Sequence, residues 1–200
     1  MSIEPTFSAA ACTWDADEDR LLVERYRRGE VEAFTELVVR YQRPVYQAAF
    51  WVLKRAEDAA DIAQTVFLKA AEHIDDYDPR FKFFSWIYRI AVNEALNAQR
   101  RRQHEEPLGD EAELPASDSA GPEAQASSAQ RAQRLRSALM KLSANDRAVI
   151  SLRHFQDCRY DEMAQILGVD EKTVKSRLFD ARRRLRALLG DLEGTSRVTH

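Results

Sequence analysis

The 200-residue chain carries 30 Lys and Arg against 33 Asp and Glu, for a net charge of −3, with 44% hydrophobic and 32% charged residues. That balance suits one or two soluble domains and is too apolar for a chain disordered throughout. No run approaches the ~20 continuous apolar residues that cross a bilayer, and the start of the chain, with Glu4, lacks a basic-then-apolar signal pattern, so membrane insertion is excluded and a cytoplasmic location is expected.

Cys12 and Cys158 are far apart and lack metal-type spacing, so neither a disulfide framework nor a zinc site has support. No metal and no cofactor is expected. The small net charge conceals a division: residues 1–17 carry −3, 18–102 carry +1, 103–128 carry −7, 129–190 carry +7 and the last ten −1. A basic module beside an acidic spacer points to a polyanion partner, or to Arg-rich helices that are simply solvated.

In chain order, residues 1–17 read as a tail. Leu21, Leu22 and Tyr26, then Phe34, Leu37, Val38, Tyr41, Val45, Ala48 and Ala49, recur at helical spacing, with Gly29-Glu30 as the turn between two helices. Ile62, Ala63, Val66, Phe67 and Ala70 predict a helix over 59–74, ended by Asp75, Asp76 and Asp78-Pro79. A further helix is predicted over 85–102. Residues 103–128 hold three Pro, two Gly and no aromatic or β-branched residue, which predicts a flexible acidic linker that leaves the flanking modules unorganised. Beyond it, Leu135, Leu139 and Leu142 mark one helix, and Ser143 with Asp146 opens the next. Tyr160–Leu167 is a short helix stopped by Gly168, and Asp170 caps a long one reaching Leu189. The fold class is therefore all-α, two small helical domains at 18–102 and 129–190, the second with a helix-turn-helix, followed by a tail at 191–200.

Two surfaces carry chemistry. On the last helix Val174, Leu178, Ala181, Leu185 and Leu188 form one buried stripe, which leaves Lys172, Lys175, Ser176, Phe179 and Arg183 to face a DNA major groove. Lys and Arg donate to guanine, Ser reaches bases or phosphate, and Phe179 covers a thymine methyl or makes a domain contact. Upstream, six of the eighteen aromatic residues fall within 77–88: Tyr77, Phe81, Phe83, Phe84, Trp86 and Tyr88. Arg80, Lys82 and Arg89 are interleaved with them, and Trp86, Arg89, Asn93, Asn97 and Arg100 line one helix face. Rings for stacking, cations for the backbone and amides for base edges suit single-stranded nucleic acid. Phe84 and Ile87 read instead as core. By spacing alone, Asp58, Asp61 and Gln64 are a solvated face.

The runs Asp61-Ile-Ala-Gln64-Thr-Val-Phe-Leu-Lys-Ala70, Phe84-Ser-Trp86-Ile-Tyr88-Arg-Ile-Ala-Val-Asn93 and Thr173-Val-Lys-Ser-Arg-Leu-Phe-Asp-Ala-Arg182-Arg-Arg-Leu185 resemble bacterial sigma factors of the extracytoplasmic-function (ECF) group, sigma-70 family. The likeness spans 18–102 and 129–190. It implies that the first module melts and reads the −10 promoter element and that the second, with Thr173 added to its recognition surface, reads the −35 element. It further implies that Asp58, Asp61 and Gln64 dock on the β′ coiled coil of core RNA polymerase, with the β flap a second contact. The acidic linker would run toward the RNA exit path, and an anti-sigma factor would hold the protein inactive, as in a stress or envelope response. Arg80-Phe-Lys-Phe-Phe lacks the small residues frequent in that loop, Arg159 stands where a capping Ser is common, and Asp180 where a basic residue is frequent. A stand-alone helix-turn-helix regulator explains only the second module. No phosphate loop, metal-ligand cluster or nucleophile–base pair marks an enzyme.

Overall fold

The computed structural model describes residues 16–105 and 124–195, with side chains over 16–104 and 130–190. Among them the regular elements are α1 (Ala16–Arg27), α2 (Val31–Leu53), α3 (Ala56–Glu72), a 3-10 turn (Ile74–Asp76), α4 (Phe83–Glu105), α5 (Ala124–Lys141), α6 (Ala144–His154), α7 (Tyr160–Leu167) and α8 (Glu171–Thr195). The all-α expectation holds. Both margins of the expected linker are helical, because α4 runs on through 103–105 and α5 starts at Ala124. The rest of that segment, 106–123, lies outside the described residues, as do most of the N-terminal tail, with Cys12, and the last five residues.

In the first module α2 is the central helix, packed against α1, α3 and α4. Gly29 turns the chain between α1 and α2 at φ +96°, a conformation that side chains with a Cβ avoid. Leu37, Tyr41, Val45 and Ala49 are buried along α2 at helical spacing. Pro44 lies inside this helix and removes one donor, and the Tyr88 hydroxyl donates to its carbonyl at 2.9 Å, which ties α4 to α2. On α1 the buried residues are Asp19, Leu22 and Val23. Leu21, expected in the apolar stripe, is 54% exposed because the contact with α2 falls one residue later.

In the second module Ser143 caps α6 by accepting from the Asp146 N–H at 3.2 Å, and Val174, Leu178 and Ala181 bury one stripe of α8 against its neighbours. The modules then pack on each other, α6 against α2 and α7 against α4, and their buried apolar residues form one continuous cluster. The expectation of unorganised modules gives way here, for a reason found at the end of α2. Lys54 adopts φ 66° and its N–H closes the helix on the Phe50 carbonyl at 2.8 Å, so the next carbonyls lack helical donors. Arg147 of α6, only 3% exposed, supplies them: Nε donates to the Trp51 carbonyl at 2.6 Å and Nη2 to Val52 at 2.5 Å, while Nη1 donates to Leu142 in its own module. Beside this cap the Trp51 and Phe155 rings stack at 4.8 Å and 11°.

Candidate nucleic-acid interface

The helix-turn-helix is built as its sequence dictates. Gly168 ends α7 at φ +63°, and the Asp170 carboxylate then accepts from the Thr173 N–H at 2.7 Å and from the Thr173 hydroxyl at 3.1 Å, so these bonds hold the Asp170 carboxyl below its usual range. At α7 Arg159 occupies the position where Ser is common, and Glu162 reaches back to accept from the Arg159 N–H at 2.8 Å, the reciprocal bond of a capping box. With its stripe buried, α8 turns Lys172, Lys175, Ser176, Phe179 and Arg183 outward, and Phe179 is 67% exposed. Thr173 is half-buried and its hydroxyl is spent on the cap. Two acids temper this face, Glu171 at 3.3 Å from Lys175 and Asp180 at 3.3 Å from Arg183. The neighbouring arginines brace the helix instead: Arg184 contacts both Asp146 carboxylate oxygens at 2.8 and 2.9 Å, and Arg182 donates to His154 at 3.2 Å. Partial burial, with Arg182 and Arg153 nearby, holds the His154 imidazole below its usual range, which suits an acceptor.

Three rings of the aromatic cluster, Tyr77, Phe81 and Trp86, line an open cavity of about 620 Å³ together with Ser85, Arg89 and Asn93. Arg27 of α1 anchors the loop that forms its rim, donating to the Ile74 and Tyr77 carbonyls at 2.7 and 2.9 Å, and the Tyr77 hydroxyl donates to Phe81 at 2.8 Å. Arg89 and Asn93 are exposed at the cavity, and Asn97 and Arg100 are exposed farther along α4. Arg80 is clamped on Asp78 by contacts of 2.6 and 2.9 Å, which lowers the Asp78 carboxyl. Phe83 requires a correction. It is fully buried, packed on Tyr41, Tyr77 and Trp86, so it supports the cavity from within the core. Phe81, two residues earlier, is 46% exposed and lines the cavity. Phe84 and Ile87 are buried. Lys82 ends 2.5 Å from Glu162, across the module boundary.

On α3, Asp61 and Gln64 are exposed. Asp58 is half-buried and pairs with Arg55 at 3.4 Å and Arg102 at 3.6 Å. Leu68, 66% exposed and one turn beyond Gln64, adds an apolar group that the polar pattern alone does not reveal. Among the described residues no cluster of His, Cys, Asp or Glu has metal-binding geometry, and no helix is long and apolar enough to cross a membrane. Cys158 is buried and its thiol is pushed up to about 12, first by desolvation, so it is protonated at neutral pH.

The family model for Sigma-70 region 2 matches residues 37–105, and that for Sigma-70 region 4 matches 132–185. The ECF RNA polymerase sigma factor SigW of Bacillus subtilis is 30% identical over 179 residues, covering 85% of this chain and 96% of that protein. Among solved structures, CnrH in complex with the cytosolic domain of CnrY superposes with a TM-score of 0.64 at 30% identity, over 88% of this chain and 99% of that one. The sigma factor RpoE in complex with the anti-sigma factor NepR, from Bartonella quintana, gives 0.61 at 25% identity, over 78% and 96%.

Proposed function

The chain belongs to the ECF group of RNA polymerase sigma factors in the sigma-70 family, and from that premise we propose how its surfaces divide the work of promoter-directed initiation. Residues 129–190 read the −35 element as duplex: Lys172, Lys175, Ser176, Phe179 and Arg183 face the major groove, and Thr173 sets the start of the helix that presents them. Residues 18–102 take the −10 element as a single strand. An extruded base enters the cavity between Phe81 and Trp86, Asn93 offers its amide to the base edge, and Arg80, Lys82, Arg89, Asn97 and Arg100 serve the backbone. Asp61 and Gln64, flanked by Asp58 and Leu68, dock on polymerase. Phosphate contacts supply affinity and the two readers supply selectivity. The polymerase does the chemistry, in the cytoplasm, and this chain contributes binding alone. Like the relative seen with NepR, it is held by an anti-sigma factor until a stress or envelope signal releases it.

One observation carries this reading: a single chain presents both an exposed basic recognition helix and, on α4, an open cavity lined by Phe81, Trp86, Arg89 and Asn93. A stand-alone helix-turn-helix regulator has no use for the second. The test is to map transcription start sites of core RNA polymerase with and without the purified protein. New starts sharing upstream sequence elements are expected, and an unchanged start profile would sink the assignment.

A further inference from the structure

An acid lies in the middle of the basic recognition face. Lys172, Ser176, Asp180 and Arg183 follow one another along α8 at spacings of four, four and three, on the side away from the buried Val174, Leu178 and Ala181. Other acids of this module hold the fold: Asp146 binds Arg184, Asp170 caps α8 and Glu162 accepts from the Arg159 N–H. Asp180 instead meets Arg183 at 3.3 Å, with side chains 37% and 69% exposed. An exposed pair three residues apart on a helix contributes little to stability. A carboxylate carried into a groove walled by phosphates weakens binding to every sequence, unless a base donates to it. Its position therefore points to the bases.

In the major groove a G·C pair presents, in order, the acceptors N7 and O6 of guanine and the N4 amino donor of cytosine. A guanidinium with a carboxylate beside it is the complement, donor, donor, acceptor, and one contact between the two leaves each able to bind further. The tips of Arg183 and Asp180 converge to 3.3 Å, close enough to address neighbouring atoms of one base pair. We infer that these two residues read a single G·C pair together, Arg183 donating to guanine and Asp180 accepting from the cytosine amino group. Asp180 is then the residue that sets sequence and orientation at that position of the upstream element. The inference rests on assigning α8 to duplex −35 DNA, and it deepens that assignment, because cations alone carry their charge to any sequence. An A·T pair sets the adenine amino donor against Arg183 and the thymine carbonyl against Asp180. A reversed C·G pair exchanges the two ends. Both are rejected by like facing like.

The test uses holoenzyme assembled from core RNA polymerase and the full chain, as parent, Asp180→Ala or Asp180→Asn. Each is offered duplexes with a fixed −10 region, taken from a start mapped with the parent, and a randomised upstream element, and the bound DNA is sequenced. The parent is expected to prefer one G·C pair, in one orientation, by about tenfold at a single position, the scale of one good bidentate contact. Asp180→Ala should lose that preference there and keep the rest of the element. Asp180→Asn, whose amide both accepts and donates, should admit A·T beside G·C. A second measurement needs no folded variant: 2-pyrimidinone in place of the selected cytosine lacks the amino group, and should weaken the parent about tenfold. Asp180→Ala should be indifferent to it. Unchanged selection by Asp180→Ala overturns the inference. So does a uniform gain of affinity over all sequences, which makes Asp180 a mere repeller of phosphate. A parent indifferent to the missing amino group also rejects it, since Asp180 then only positions Arg183. A parent that selects nothing upstream sinks the duplex-reader assignment and this inference with it, whereas an upstream preference that Asp180 does not set sinks the inference alone.

Discussion

Asp19, 1% exposed, accepts the hydroxyl of Tyr41 on one carboxylate oxygen and the Arg40 guanidinium on the other at 2.6 Å, which joins α1 to the middle of α2. Desolvation outweighs these partners and raises the carboxyl above the ordinary aspartate range. A raised carboxyl means that the folded chain holds this proton more firmly than the unfolded chain does. Its contribution to stability is fully present below the ordinary aspartate value and is lost as pH rises through the raised folded value. Urea titrations at several pH values should therefore show wild type gaining on Asp19→Asn as pH falls. A difference independent of pH would contradict the raised carboxyl.

Phe81 and Phe83 separate site from core. Phe83→Ala empties a fully enclosed position and should cost about 3–5 kcal/mol of stability. Phe81→Ala should stay within about 0.5 kcal/mol in stability, being at the surface, yet weaken single-strand binding by about 1–3 kcal/mol through lost stacking. Equal effects of the two substitutions on strand binding, measured with variants that remain folded, would refute the assignment of Phe81 as the stacking ring.

Ser85 lines the same cavity with a buried hydroxyl that lacks a hydrogen-bond partner among the described residues. Such a group carries its desolvation cost without return, so Ser85→Ala should leave stability unchanged or raise it by up to about 1 kcal/mol. A clear drop in melting temperature would show that the hydroxyl is satisfied in solution.

The elements were legible wherever a local rule decides them. Gly168, Asp170 and the stripe at Val174, Leu178 and Ala181 bound and orient α8 without help from the rest of the chain. The aromatic cluster was legible as a concentration and not as an orientation. Phe81 precedes α4 and Phe83 opens it, so helical spacing cannot say which ring faces inward, and the anchoring of the loop by Arg27 is a tertiary fact. Arg147 was hidden for a related reason. In sequence it is one of fourteen basic residues between 129 and 190, and its carbonyl partners on α2 lie 95 and 96 positions away.

On the recognition helix, replacing Lys175 and Arg183 together by Ala should lower upstream-element binding by the holoenzyme and relax its sequence preference there, at about 1–3 kcal/mol per lost base contact. Both side chains share their charge with neighbouring acids, so stability should move by less than about 0.5 kcal/mol. Transcription from a template opened in advance should persist, since the cavity on α4 is untouched. Loss on both templates would mean that these residues act on folding or on polymerase instead.

The α3 face makes the last test, because its polymerase role rests on family membership while its geometry alone describes a solvated helix. Asp61 and Gln64 are exposed, so Asp61→Ala with Gln64→Ala should leave the melting temperature in place and weaken binding to core polymerase. Asp58 is a poorer probe: it ties Arg55 and Arg102 to the start of α3, and its removal disturbs packing as well as the surface. Leu68→Ser is the informative companion. A leucine 66% exposed in line with Asp61 and Gln64 gains little from folding, so its loss should be silent in stability. If it is silent in polymerase affinity too, and the double variant with it, the docking surface lies elsewhere on the molecule.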